Sequence, residues 1–218
     1  PRRRVGRAAV AAVVVALLVG TGGYVLLRPG PTEPRPAADA VAAPAATPSP
    51  SPTPTPAQPA DPLSAFADPA LRALAEPYLG GPGATCTSRP AGVTIAESVT
   101  CDFGNGRVGL FSRFLNADLM RTVREGIVDG VVAPLGTVRS LRWRFVDRAV
   151  GTRVGIPPGS DRPGEGTRVR YLDEDGLPLL WFDQDATACV GLLGLDVPSG
   201  DPEADLDALR SAWADPRR

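Results

Sequence analysis

The chain has 218 residues, 23 basic against 24 acidic side chains, and no histidine. Every basic residue is an arginine, and only three cysteines and one methionine are present. Ser–His–Asp and Cys–His catalysis, Schiff-base or phosphate-loop lysines and histidine-containing zinc sites are therefore excluded within this sequence.

Residues 1–7 form a basic head with Arg2, Arg3, Arg4 and Arg7. Residues 8–27, AAVAAVVVALLVGTGGYVLL, are uncharged and as a helix span roughly 30 Å, the thickness of a bilayer's hydrocarbon core. The arginine excess on the N-terminal side predicts a cytoplasmic head and an exported remainder. Thr21 and Gly23 are small enough for a signal-peptide cleavage site, but the apolar run continues to Leu27, longer than a signal core, so a retained transmembrane helix is expected.

Residues 28–62 read as a disordered linker of Pro, Ala, Thr and Ser, with 12 prolines between Pro29 and Pro62. Too little apolar surface is present to offset the entropy of ordering, and alternating proline favours extended polyproline II. Residues 63–218 form the expected extracytoplasmic domain. From Asp61 onward 17 arginines face 22 acids (−5), whereas the first 60 residues carry 6 arginines against 2 acids (+4). A net acidic folded part argues against nucleic-acid binding.

Within that domain, Asp68-Pro69 opens a helix with Leu71, Leu74 and Tyr78 on one face. Strands are predicted at 85–89 and 98–103, then a turn at Gly104-Asn105-Gly106 and an alternating strand at 107–114. Asn116 caps a second helix through Leu119, Val123 and Ile127. Further strands are predicted around 141–145 and at 152–156, 167–172, 177–182 and 187–195, and Asp201-Pro202 starts a last helix. The expected fold class is α+β, an antiparallel sheet with helices packed on one face. The two halves echo each other, each with a hairpin rich in aromatic residues followed by an Ala/Asp/Leu-rich helix.

The run CTSRPAGVTIAESVTCDFGNGRVGLFSRF, with RVRYLDEDGLPLLWFD and DPEADLDALRSAWAD further on, resembles exported sensor-type domains of actinobacterial single-pass membrane proteins. Similar domains form the ectodomains of receptor Ser/Thr protein kinases. The resemblance implies a non-catalytic domain outside the membrane. A cysteine would be expected beside Arg170-Tyr171, whereas the third cysteine here is Cys189.

Cys86 and Cys101, 15 positions apart in a segment expected outside the cell, are the favoured disulfide over any bridge to Cys189. The other reading of Cys189 is a buried free thiol. GNGRVG at 104–109 spells a dinucleotide-binding pattern, but a strand follows where that motif needs a helix. Asp173-Glu174-Asp175-Gly176 resembles the start of a calcium loop, yet Leu177 and Gln184 stand at later ligand positions. Neither a metal nor a cofactor is expected.

Arg142, Arg144, Arg153, Arg168 and Arg170 alternate with mostly apolar residues on three predicted strands. If those strands are neighbours, five guanidiniums could line one sheet face as an anion-binding surface, or simply form a solvated face balanced by nearby aspartates. The expected function is non-catalytic recognition of an envelope ligand or protein partner by a membrane-anchored domain. Two alternatives stay open: the sensor half of a receptor kinase whose catalytic part precedes Pro1, and an anchored envelope hydrolase using carboxylates such as Glu97, Asp183 or Asp185.

Overall fold

The computed structural model describes residues 61–216, apart from Asn105, Val132 and Leu135. The expected basic head (1–7), transmembrane helix (8–27) and linker (28–62) lie outside the described residues, save for Asp61 and Pro62. Among the described residues no helix is long and apolar enough to cross a membrane.

A 3-10 turn at Pro62–Ala65 leads into helix α1, Pro69–Ala75. The Asp68 carboxylate accepts the N–H groups of Ala70 and Leu71, both at 2.9 Å, and Pro69 occupies a first-turn position where no N–H is needed. The α-helix stops short of Tyr78. Pro77 tightens the chain into a 3-10 turn at Glu76–Tyr78 because it has no N–H to continue the ladder.

Eight strands follow: β1 (Thr85–Arg89), β2 (Ile95–Asp102), β3 (Arg107–Phe114), β4 (Arg139–Asp147), β5 (Thr152–Gly155), β6 (Gly166–Leu172), β7 (Pro178–Gln184) and β8 (Cys189–Leu195). Helix α2 (Ala117–Val128) lies between β3 and β4, and α3 (Pro202–Ala214) follows β8. All eight strands join one sheet in the order β1-β2-β3-β8-β7-β6-β4-β5. Every pairing is antiparallel. Gly104 and Gly106, both at positive φ, lie in the connection from β2 to β3, and a strand follows them.

The α+β class holds, but the helices do not share one face. Leu71 and Leu74 of α1 and Leu209 and Trp213 of α3 pack with Phe111, Trp143, Phe182 and Leu193. Met120, Val123 and Ile127 of α2 pack with Phe114, Val169, Trp181 and Val190. Trp181 and Phe182 are adjacent on β7, and neighbours along a strand point to opposite faces. The two cores therefore lie on opposite sides of the sheet. Burial of both faces explains the continuous apolar run LLWF at 179–182, in which Leu180, Trp181 and Phe182 are all buried.

Each half contains a three-stranded meander followed by a helix, β1–β2–β3–α2 and β6–β7–β8–α3. A two-fold axis relating antiparallel β3 and β8 would keep both helices on one face. They occupy different faces, so no such symmetry relates the halves.

Candidate functional site

Strands β6, β4 and β5 are neighbours, yet the five arginines do not line one face. In the β4–β6 register Leu141 stands opposite Arg168, and Arg142 opposite Thr167. Directly opposed residues share a face, so Arg142 and Arg144 belong to the α2 side and Arg168 and Arg170 to the α1/α3 side. Arg153, opposite Phe145 on β4, joins Arg168 and Arg170.

Those three arginines are structural. Arg153 is 3% exposed and donates from Nη1 to the Tyr78 hydroxyl at 2.8 Å and to the Trp213 carbonyl at 3.2 Å. Its guanidinium carbon lies 5.1–5.6 Å from the ring centroids of Phe182, Phe145, Tyr78 and Trp143. Ring quadrupoles and the negative end of α3 thus compensate a cation that has no carboxylate partner among the described residues. Burial pushes Tyr78 up to about 12, so its hydroxyl stays protonated and accepts through a lone pair. Arg168 lies over the Trp213 ring at 4.6 Å, and burial, with Arg170 and Arg210 nearby, lowers it to about 10. Arg170 pairs with Asp207 at 3.3 Å and Glu203 at 3.8 Å on α3.

Of the other pair, Arg142 borders a recess. Between α2, β4 and the loop joining β5 to β6 lies a hollow of about 460 Å³, bordered by Arg124, Arg142 and Arg162 with Ser140, Ser160 and Thr167. Its apolar wall includes Val128, Ile156, Pro157 and Pro158. The loop is tied to β4 at both ends, Ile156 N–H to the Arg142 carbonyl and Glu165 N–H to the Trp143 carbonyl, both at 2.7 Å. Arg124 reaches Asp183 at 3.0 Å and Asp185 at 3.4 Å. Arg142 and Arg162 are different. Among the described residues no acid or hydrogen-bond acceptor engages either guanidinium. Arg144, on the same face, turns back on the chain and donates to the Phe145 carbonyl at 3.4 Å.

Comparison with known proteins finds no matching family model, curated protein or solved structure.

The three carboxylates considered for hydrolysis hold parts of the fold. Asp183 is fully buried and accepts from Trp181 Nε1 at 3.0 Å, Thr167 N–H at 2.7 Å and Arg124 at 3.0 Å. Burial raises its pKa against the pull of those donors. Asp185 shares Arg124, and Glu97 accepts the N–H groups of Ala67 and Asp68 at 2.8 and 2.7 Å, steadying the entry to α1.

Cys86 and Cys101 form a disulfide between directly opposed positions of β1 and β2. Cys189 is a free, buried thiol whose pKa burial raises to about 11, which favours the neutral form at neutral pH. Asp173 closes the β6–β7 hairpin by accepting the N–H groups of Asp175 and Leu177, so the acidic turn organises itself. No group of metal-ligating side chains occurs among the described residues. A larger hollow of about 1020 Å³ beside α1 is walled by Leu63, Pro77, Tyr78, Phe145 and Pro216, and Arg148 on its border is paired with Glu165.

Sequence reasoning missed Arg124 and Arg162. Arg162 sits in PPGSDRPGEG, a Pro/Gly-rich connection longer than most, and such loops carry function more often than short ones.

Proposed function

We propose that this chain is a membrane-anchored, extracytoplasmic recognition domain that binds an envelope ligand or protein partner without turning it over. The observation that carries the reading is the recess in which neither Arg142 nor Arg162 is ion-paired, beside hydroxyls and an apolar wall. A pocket mixing apolar surface with a few placed polar groups is the usual form of a small-ligand site. The 20-residue uncharged stretch and the Pro-rich segment after it support anchoring at a distance from the bilayer. The Cys86–Cys101 disulfide suits an oxidising compartment. The resemblance to kinase ectodomains supports a sensor role, including that of a receptor kinase's outer half.

Two measurements test this. Protease added to intact cells should remove the domain; protection until the membrane is opened would overturn the topology. The full chain in detergent micelles should retain cell-envelope glycan without altering it. Shortened glycan that disappears when a single Asp or Glu is substituted would establish the hydrolase instead.

A further inference from the structure

We infer that the recess between α2, β4 and the 156–165 loop binds the tetrahedral oxyanion of a phosphate or sulfate ester, with Arg142 and Arg162 as its cationic ligands. The inference rests on the recognition reading and names the chemistry that this site would recognise.

Charge comes first. Among the residues bordering the recess, Arg124 is engaged by Asp183 and Asp185, and Glu125, the one acid on the border, pairs with neither Arg142 nor Arg162. The charges balance in sum, but the exposed guanidiniums of Arg142 and Arg162 remain unpaired on the border of a concave site, where cations can draw an anion in. An anion entering there gains charge-assisted hydrogen bonds without first breaking an internal ion pair.

Donor number then selects the shape of the anion. Each guanidinium offers five N–H donors in a planar fork, and Ser140, Ser160 and Thr167 add three hydroxyls. A carboxylate has only two oxygens to share among them. A phosphoryl or sulfuryl group presents three or more oxygens in three dimensions and can engage donors from the strand and from the loop together. The volume of about 460 Å³ exceeds what a bare oxyanion occupies and lies within the range of small-molecule pockets. The ester therefore brings a body, of the size of a sugar, to lie against Ile156, Pro157 and Pro158.

Placement of Arg142 is the most specific feature. A Cβ added at Gly164 would stand 2.8 Å from Nε and 2.9 Å from Nη2 of Arg142. Gly164 does not have positive φ, so its backbone does not require glycine. The space a side chain would fill is taken by the guanidinium. The Arg142 guanidinium thus packs against the loop at Gly164, a contact that narrows its freedom and lowers the entropy lost on binding. On the loop itself the Arg162 N–H donates to Ser160 Oγ at 3.3 Å, fixing the turn that carries both groups.

The test uses the full chain in detergent micelles at constant ionic strength. Thermal unfolding and calorimetric titration are followed with sodium phosphate, sulfate, acetate, glucose 6-phosphate and glucose, against chloride. Phosphate and sulfate should raise the unfolding midpoint, glucose 6-phosphate should do so at lower concentration, and acetate and glucose should match chloride. Arg142→Ser and Arg162→Ser should each weaken the sugar phosphate by roughly ten-fold or more. Gly164→Ala should weaken it while leaving the ligand-free midpoint unchanged, and Glu125→Gln should strengthen it. Equal stabilisation by acetate would overturn the tetrahedral selectivity. Inorganic phosphate binding as tightly as the sugar phosphate would overturn the ester. Undiminished binding by Arg142→Ser/Arg162→Ser, or no response to any anion, would remove the site. If anions fail while envelope glycan is still retained, only this inference falls; if both fail, so does the recognition reading.

Discussion

Arg153 and Tyr78 meet at 2.8 Å, guanidinium to phenol, although 75 positions separate them in the chain. Their hydrogen bond ties edge strand β5 to the turn that ends α1. Two further nitrogens of Arg153, Nε and Nη2, have no hydrogen-bond partner among the described residues. A buried cation in that state is a large cost that rings and a helix terminus only partly offset.

Arg153→Ala should therefore destabilise the domain by about 2–4 kcal/mol, through a cavity among four aromatic rings and an orphaned Tyr78 hydroxyl. Arg153→Met, which keeps the volume and removes the charge, should cost clearly less. Denaturant midpoints of the two variants measure the difference, and a Met variant as unstable as the Ala variant would show that charge, not packing, matters at this position.

Acid should loosen α1. Burial pulls the Asp68 pKa up, but the N–H groups of Leu71 and Ala70 and the Arg113 guanidinium outweigh it and hold the carboxyl below the ordinary value of 3.8. The unfolded chain then holds the extra proton between the two values. The stabilisation is full above 3.8 and lost as pH falls through the folded value. Asp68→Asn keeps a cap acceptor but cannot titrate. Its midpoint should be lower at neutral pH and flatter with acidification than the parent's.

Reduction of Cys86–Cys101 should cost about 3 kcal/mol, as the chain-entropy model gives for a 15-residue loop. Urea unfolding with and without reductant reads the change directly. Cys189 should remain unreactive toward a thiol reagent until the domain unfolds. Rapid labelling of the native, oxidised protein would contradict the burial of that thiol.

Gly166→Ala should be severe. A Cβ there would stand within van der Waals overlap of the Asp183 carbonyl oxygen, a backbone atom that also accepts Trp143 Nε1 at 3.0 Å. Nothing at that contact can rotate away, so about 2–3 kcal/mol of destabilisation is expected. The same substitution two residues earlier, at Gly164, meets only the end of a flexible arginine. Comparing the two thermal midpoints separates backbone crowding from side-chain crowding.

Much of the local structure was legible in the chain. Asp68-Pro69, Asn116 and Asp201-Pro202 are caps whose chemistry is local, and the helices begin beside them. The 107–114 strand was also readable, because a glycine turn and alternation bound it. The side on which each helix packs was not. Alternation fixes which residues of one strand share a face, but the relation between two strands depends on register, which no single strand encodes. Leu141 opposite Arg168, rather than Arg142, is enough to part the arginines. The run LLWF did carry the missing information, since a strand with one wet face would alternate. Burial of Arg153 had no comparable signal. Its aromatic neighbours come from the 3-10 turn after α1, from β4 and from β7, and only the assembled sheet brings them together.

Inside the sheet β3 pairs with β8, and Arg107 stands opposite Leu195. Strands separated by about half of the domain's length are thus direct neighbours within the sheet. The β1–β3 meander can form early and locally, but its inner flank stays open until the last strand arrives. A chain emerging from its N-terminal end cannot close the sheet before nearly all of it has been delivered. Contacts of such long sequence separation slow folding, and in the interval β3 presents an unpaired row of N–H and C=O groups. Its own β8 must outcompete every other strand for that edge.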